Sequence, residues 1–545
     1  MKTSITDEII EKVGSFGRYQ LRVLLILSYA MFFCAMTLMV MTFSTAEPPW
    51  KCVSNSSACA LNGTFKVGDK NYDYRCDLAR SEWKFDLDGT FDSIVTEWDL
   101  VCDSAVYVSL TNSLTFVVWI FGAMLASIIS DKFGRKTVTF SSAVLVCVSG
   151  LVSAFAQAYW VFALFRCLVG FGIEPTPHLV CRWLWETLLL GRQILTTKSS
   201  ERMLILKTAE SGAVGVSIWF GASGSLALLP LMAYLIPNWR TLSYITSAPG
   251  IFFFLFWWWT PESLRWLLTK GKLGEAKKAL TNVARVNRRQ FTDKDMDSLV
   301  TEGPEKRERL GDVRDLFASR AMTHRTLVSW YGWLVCGMGS YGIALSAPAI
   351  GGNMYLNFFL SIATEAVAMV ATIYVLNRFG RKLAIVVTLF LSAVSLIAAA
   401  LLSFYDDGGH GYLAGKIITS MVLGKWFITI AFSGVYIHSS ELFPTVVRNT
   451  ALGSLSSAAR VGAACSPYIV FSQRAHALLP FGIMAVNALV SGILYMTLPE
   501  TNKVSMPDTV KQVDGSDSST ATVDETQNDE NPDSTEKNLL FTTSL

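Results

Sequence analysis

Residues 131–136 read DKFGRK, and residues 377–382 read NRFGRK. The copies begin 246 positions apart (377 − 131), and each is wedged between two apolar runs of about 20 residues, the length that spans a hydrocarbon core. Lys and Arg collect on the cytoplasmic side of membrane spans, so a basic knot between two runs reads as a cytoplasmic turn. A second echo keeps the same register: PESLRWLL (261–268) closes one half of the chain and PETNK (499–503) closes the other. Two halves with matching punctuation are the sign of parallel repeats, which bind a ligand at their interface.

The composition agrees. Of 545 residues 51% are hydrophobic and 16% charged, where a soluble chain carries roughly 25% charged residues. Spans are predicted at about 21–43, 107–129, 138–158, 159–181, 211–236 and 239–259, then at 327–350, 353–377, 383–404, 412–437, 450–472 and 478–498. The fold class is an all-α membrane protein with twelve transmembrane helices in two parallel six-helix repeats. The first run is too long for a signal-peptide core and follows a polar leader, so it reads as a true span. The chain divides into a cytoplasmic amino terminus (1–20), a first half (21–268), a central cytoplasmic loop (269–326), a second half (327–500) and a polar tail (501–545).

The loop at 44–104 holds Cys52, Cys59, Cys76 and Cys102, together with N-x-S/T glycosylation acceptors at Asn55 and Asn62. Both features point to the oxidising, extracellular side. Two disulfides are expected, with their pairing open. Lys12, Arg18 and Arg22 precede the first span, so both termini should be cytoplasmic in a multi-pass protein of the plasma membrane. The tail carries nine acidic residues against three lysines, a composition expected to stay disordered. It ends TTSL, so Thr543 and Leu545 fit a PDZ-domain ligand.

Three charges lie where lipid would penalise them. Glu365, Lys425 and Arg460 fall inside predicted spans, and each would cost roughly 2.5–3.5 kcal/mol facing lipid at mid-membrane. They should therefore face the interior of the bundle, as candidate substrate-binding residues. One acid against two bases leaves a positive charge to meet an anionic group on a ligand. Tyr355, Phe358 and Trp426 are candidates to receive a quaternary ammonium by cation–π contact. Arg166 is a fourth intramembrane charge.

Other classes lack their signatures. No G-x4-G-K-[ST] sequence marks an ATP-driven pump, and the five histidines are scattered, with no zinc spacing or catalytic constellation. The protein is thus expected not to be an enzyme and to need no cofactor or metal. Its partners should be a small organic ion and membrane lipid, with no nucleic acid. A channel is disfavoured by the paired halves.

DKFGRK and NRFGRK resemble the loop motif of the major facilitator superfamily. Together with TEWDLVCD (96–103), PNWR (237–240), PESLRWLL and ELFPTVVRN (441–449), they resemble the organic cation, carnitine and organic anion transporters of the solute carriers. That resemblance implies two halves rocking about a central cavity, with no enzymatic activity. It implies gate roles for Asp131, Gly134, Arg135, Lys136, Glu262, Arg265, Arg378, Gly380, Arg381, Glu441 and Arg448. Asp131, Arg135, Arg381, Glu262 and Arg265 would form cytoplasmic ion pairs that break and remake in each cycle. Asn377 replaces the acid in the second copy, which should weaken its contact. Glu365 resembles the eighth-span acid of the cation and carnitine branches, and Arg460 the eleventh-span arginine of the carnitine and anion branches. A cation or a carnitine-like zwitterion is then the expected cargo; an organic anion exchanger, or a non-transporting receptor or scaffold of this fold, are the alternatives. Arg166 resembles the superfamily's fourth-span arginine, with a coupling or structural role. The resemblance lapses from Ile173 to about Glu210, where Pro175, Pro177 and clustered charges argue against a continuous span.

Overall fold

The computed structural model describes residues 17–53, 59, 61–67, 69, 71–87, 89–173, 221–289, 291–292, 312–406, 409–502, 507 and 513. The first half contains α1 (Arg18–Ser44), α2 (Val106–Phe133), α3 (Arg135–Ala154), α4 (Tyr159–Ile173), α5 (Gly221–Leu235) and α6 (Trp239–Ser247), which continues as a 3-10 helix over Ala248–Trp259. Two short helices follow, α7 (Leu264–Thr269) and α8 (Leu273–Asn287). The second half contains α9 (Arg320–Leu345), α10 (Met354–Phe379), α11 (Arg381–Phe404), α12 (His410–Leu442), α13 (Arg448–Phe471) and α14 (Leu479–Tyr495). Six of these, α1, α2 with its preceding turn, α3, α10, α11 and α12, are long and apolar enough to cross a membrane. Over its described residues, every expected span coincides with helix. The predicted spans at 159–181 and 211–236 are described only in part, since residues 174–220 lie outside the described set.

The helices alternate in direction, so the bundle has two ends. Both GRK turns lie at one end, the motif face. The other end carries a small antiparallel sheet in the order β2 (Thr64–Phe65), β1 (Trp50–Cys52), β3 (Trp83–Phe85). Trp50 is fully buried in this loop domain, and its indole donates to the carbonyl of Tyr72 at 2.8 Å. The disulfides are Cys52–Cys59 and Cys76–Cys102. Asn62 is exposed, while Asn55 falls outside the described residues.

Two of the sequence motifs exist to seat this domain. Glu97 of TEWDLVCD pairs with Arg240 of PNWR and accepts from the Trp239 indole at 2.9 Å. Asn238 caps α6 through the amides of Arg240 and Thr241 and reaches Asp92 of the loop at 3.1 Å. The loop domain is thereby fixed to the α5–α6 turn of the first half.

In the second half α13 packs tightly on α9. Gly462 abuts the Leu334 carbonyl and Gly337 the Ala459 carbonyl, where a Cβ on either would overlap backbone. Small residues replace the hydrophobic effect as the source of close helix packing in lipid.

Candidate functional site

Three helices of the second half bring the buried charges inward. Lys425 follows a π-helical turn in α12 (Ile418–Gly424), a widened segment that shifts which face the following residues present. Its ammonium lies 2.7 Å from Glu365 Oε2 of α10 and donates to the Ser340 carbonyl of α9 at 3.0 Å. The Lys425 side chain is 3% exposed and that of Glu365 is 22% exposed. The acid is therefore the accessible partner of the pair. Arg460 of α13 is half-buried, is bound by the Ser456 hydroxyl, and lays its guanidinium 5.1 Å from the Trp119 ring centroid of α2.

Trp119 belongs to a ring cluster with Phe116 and Tyr341, in which Phe116 and Tyr341 meet edge to face at 5.0 Å. This cluster spans both halves. Sequence reasoning missed it, because Trp119 and Phe116 look like any aromatic residues in an apolar helix. A narrow crevice of about 10 Å³, room for about one water molecule, adjoins it, lined by Leu38, Met39, Met41 and Thr42 of α1, by Asn112, Thr115 and Phe116 of α2, and by Leu345 of α9. Arg166 is buried one layer behind and donates to the Leu38 carbonyl at 3.1 Å, just before the helix breaks at Val40. It acts here as a strap on α1.

The aromatic candidates divide. Tyr355 stacks on Phe43 of α1 at 5.8 Å and meets Tyr234 of α5 at 5.5 Å, while Phe358 is fully buried against Phe43. They form a plug between the halves at the sheet face, with Tyr355 half-buried and one face of its ring stacked on Phe43. Trp426 is half-buried and joins none of the described ring pairs.

Among the described gate residues, two carboxylates cap the helices that follow the repeated turns. Glu262 accepts the backbone amides of Arg135 and Lys136 at 2.8 and 3.0 Å, capping α3 with a carboxylate. Glu500 does the same for Arg381 and Lys382 at 2.9 and 3.0 Å, capping α11. A negative group at a helix amino terminus is favoured by the exposed amides and the helix dipole. Gly134 and Gly380 make the turns, with φ of +99° and +87°, and a Cβ on either would run into the capping carboxylate. Arg135 is buried with a hydrogen bond to Ser263, and Lys136 lies 4.5 Å from the Trp257 ring centroid. Asp131 is exposed and makes none of the described ion pairs; its carbonyl accepts from Trp266.

The second copy is tied through its arginine. Arg381 pairs with Glu441 at 3.3 Å and donates to Asn502 at 2.6 Å, and Thr501 donates to Glu441. Arg448 starts α13 and donates to the Phe443 carbonyl, and Arg378 is exposed in the last turn of α10. The Arg265 side chain lies outside the described set. Glu500 was legible in outline, as the counterpart of Glu262 in the PES/PET echo.

Every described hydrogen bond, ion pair or ring contact that joins the halves lies at the Trp119 level or toward the sheet face. Ser113 of α2 donates to the Ala464 carbonyl of α13 at 2.7 Å and Ser109 to that of Pro467 at 3.4 Å. Farther out, Glu47 at the end of α1 pairs with Arg474, just beyond α13. Burial opposes ionisation of Glu47, but Arg474 and Arg75 outweigh it and hold its pKa below the ordinary carboxylate value. At the motif face the described contacts stay within each half. The structure is thus closed at the sheet face.

The profile of the sugar (and other) transporter family matches residues 24–174 and 218–509. The unmatched gap coincides with the stretch where the sequence loses its family likeness. The chain is 28% identical over 538 residues to the organic cation transporter protein of Drosophila melanogaster, covering 93% of this chain and 94% of that one. It is 30% identical to organic cation/carnitine transporter 4 of Arabidopsis thaliana, covering 92% and 90%, and 31% identical to organic cation/carnitine transporter 2 of Mus musculus, covering 79% and 73%. Among solved structures, the inward-open xylose transporter XylE from E. coli matches with a TM-score of 0.58 at 14% identity, covering 91% of this chain and 99% of that one.

Proposed function

The chain belongs to the organic cation and carnitine transporters of the major facilitator superfamily, a family of multi-pass transporters and not of enzymes, and from that membership we propose that it carries small organic cations or carnitine-like zwitterions across the plasma membrane by alternating access. The observation that supports this cargo is the Glu365–Lys425 pair, which offers a partly accessible carboxylate from a buried site. An incoming cation competes with Lys425 for Glu365. The carboxylate of a zwitterion finds Arg460, whose present partner is the face of Trp119 in the other half. A ligand that draws Arg460 off Trp119 weakens a contact between the halves, which couples occupancy to rocking.

The loop domain is read as extracellular and the motif face as cytoplasmic, so this state is inward-facing. The capping carboxylates Glu262 and Glu500 each hold a cytoplasmic turn to its own half.

The test is uptake in oocytes with surface protein quantified, using one quaternary cation, one betaine and one aromatic anion. Saturable uptake of the cation or betaine is expected. Glu365→Gln at equal surface level should lower kcat/KM for the cation by at least about tenfold, the equivalent of 1.4 kcal/mol. Uptake of the anion alone would establish an anion exchanger, and no uptake despite surface expression would favour a scaffold.

A further inference from the structure

Glu47 takes part in two cationic contacts from two different bodies. Arg474 of the second half pairs with one carboxylate oxygen. The other oxygen, Oε2, lies 2.9 Å from Arg75 Nη2 and 3.1 Å from the Tyr72 hydroxyl, both in the loop domain. The Arg75 side chain is fully buried, its guanidinium 4.1 Å from the Tyr72 ring centroid and 5.7 Å from that of Trp83. Its Nε and Nη1 meet no hydrogen-bond acceptor among the described residues, so Glu47 is the carboxylate that balances it. The next residue, Cys76, is bonded to Cys102 at the base of α2, and Glu97 binds the same domain to Arg240. Arg75 therefore moves with the first half, whereas Arg474 moves with the second.

We propose that Arg75 is a positioning residue for the outer gate, a resident counter-cation that keeps Glu47 paired when Arg474 withdraws. The clasp joins the segments just beyond the sheet-face ends of α1 and α13, so opening the sheet-bearing mouth must break it. A carboxylate only 22% exposed and stripped of its only cation is costly, and that cost would oppose opening. With Arg75 fixed beside it, Glu47 exchanges two cations for one and keeps the Tyr72 hydroxyl. The two arginines therefore act in opposite directions on one equilibrium: Arg474 holds the mouth shut, and Arg75 eases its opening. This rests on the alternating-access reading, and deepens it by assigning a role to the loop domain.

The test is the rate at which a membrane-impermeant methanethiosulfonate labels Asn112→Cys in intact cells, normalised to surface protein. Asn112 lines the crevice beneath the clasp, and the same variants without this cysteine give the background. Arg474→Gln should raise the rate about tenfold, and Arg75→Met should lower it several-fold, with Arg75→Lys restoring it. Should Arg75→Met fail to reach the surface, Tyr72→Phe, which removes only the hydroxyl, should lower the rate in the same direction. Equal or same-signed effects at the two arginines would overturn the proposal. Labelling needs no substrate: opposite effects without uptake would remove only the cargo assignment, and intact uptake without them only the clasp.

Discussion

Glu365 and Lys425 were findable in the sequence because the cost of a charge in lipid does not depend on the fold around it. What the sequence left open was their mutual arrangement, since residues 60 positions apart (425 − 365) gain a partner only when α10 and α12 pack. Removing one member of a buried pair leaves the other uncompensated, at roughly 3–5 kcal/mol. Lys425→Met should therefore lower the melting temperature of the purified protein more than the double variant Glu365→Gln/Lys425→Met does. Thermal unfolding of the three proteins followed by tryptophan fluorescence checks this; a double variant no better than Lys425→Met would mean the two residues do not act as a pair. Trp119 and Arg474 stayed hidden for the converse reason. Each is ordinary on its own element and acquires meaning only from the opposite half.

At the scale of elements, the repeated turn is a helix break plus a helix start. Gly134→Ala should cost at least about 1–2 kcal/mol, since L-residues resist this backbone region, and the added methyl meets Glu262; surface yield and melting temperature are the readouts, with Gly274→Ala in α8, where a Cβ meets open space, as the reference. Glu500 gives a pH dependence of definite sign. Burial raises its pKa, but the amides of Asn502, Arg381, Lys382 and Thr501 more than reverse that and hold it below the usual carboxylate value. Its stabilisation is complete above the unfolded carboxylate pKa of about 4.3 and is lost as pH falls through the lower folded value. The stability gap between the unsubstituted protein and Glu500→Gln should thus close as pH drops below about 4, and a gap unchanged down to pH 3 would contradict the cap. The repeat itself was plain from two hexapeptides. The partners of Arg381 were not, because Glu441 and Asn502 lie outside the hexapeptide and meet it only when α12 and the segment after α14 fold back on α11.

For the whole molecule, two halves were legible from the apolar runs and the repeated basic turns, and the cysteine-bearing loop lies at the opposite end of the bundle from those turns. The closure at the sheet face was not legible, since the residues that make it, such as Phe43, Ser113 and Arg474, meet only across the two halves. Neither was the disulfide pairing, which the loop fixes by its sheet. Ser113→Leu should wedge α2 from α13 and disfavour closure at the sheet face. Efflux from preloaded cells should slow more than uptake does, and an equal effect on both would place Ser113 outside the closure. The seating of the loop domain has a consequence for how the chain is made. Glu97 finds Arg240 across 143 residues, an interval of roughly 7–30 s at a synthesis rate of 5–20 residues per second. Throughout that time the newborn domain has its own sheet but no dock. Glu97 and Asp92 gain Arg240 and Asn238 only when the α5–α6 turn has been made, so the loop domain can be seated only once most of the first half exists.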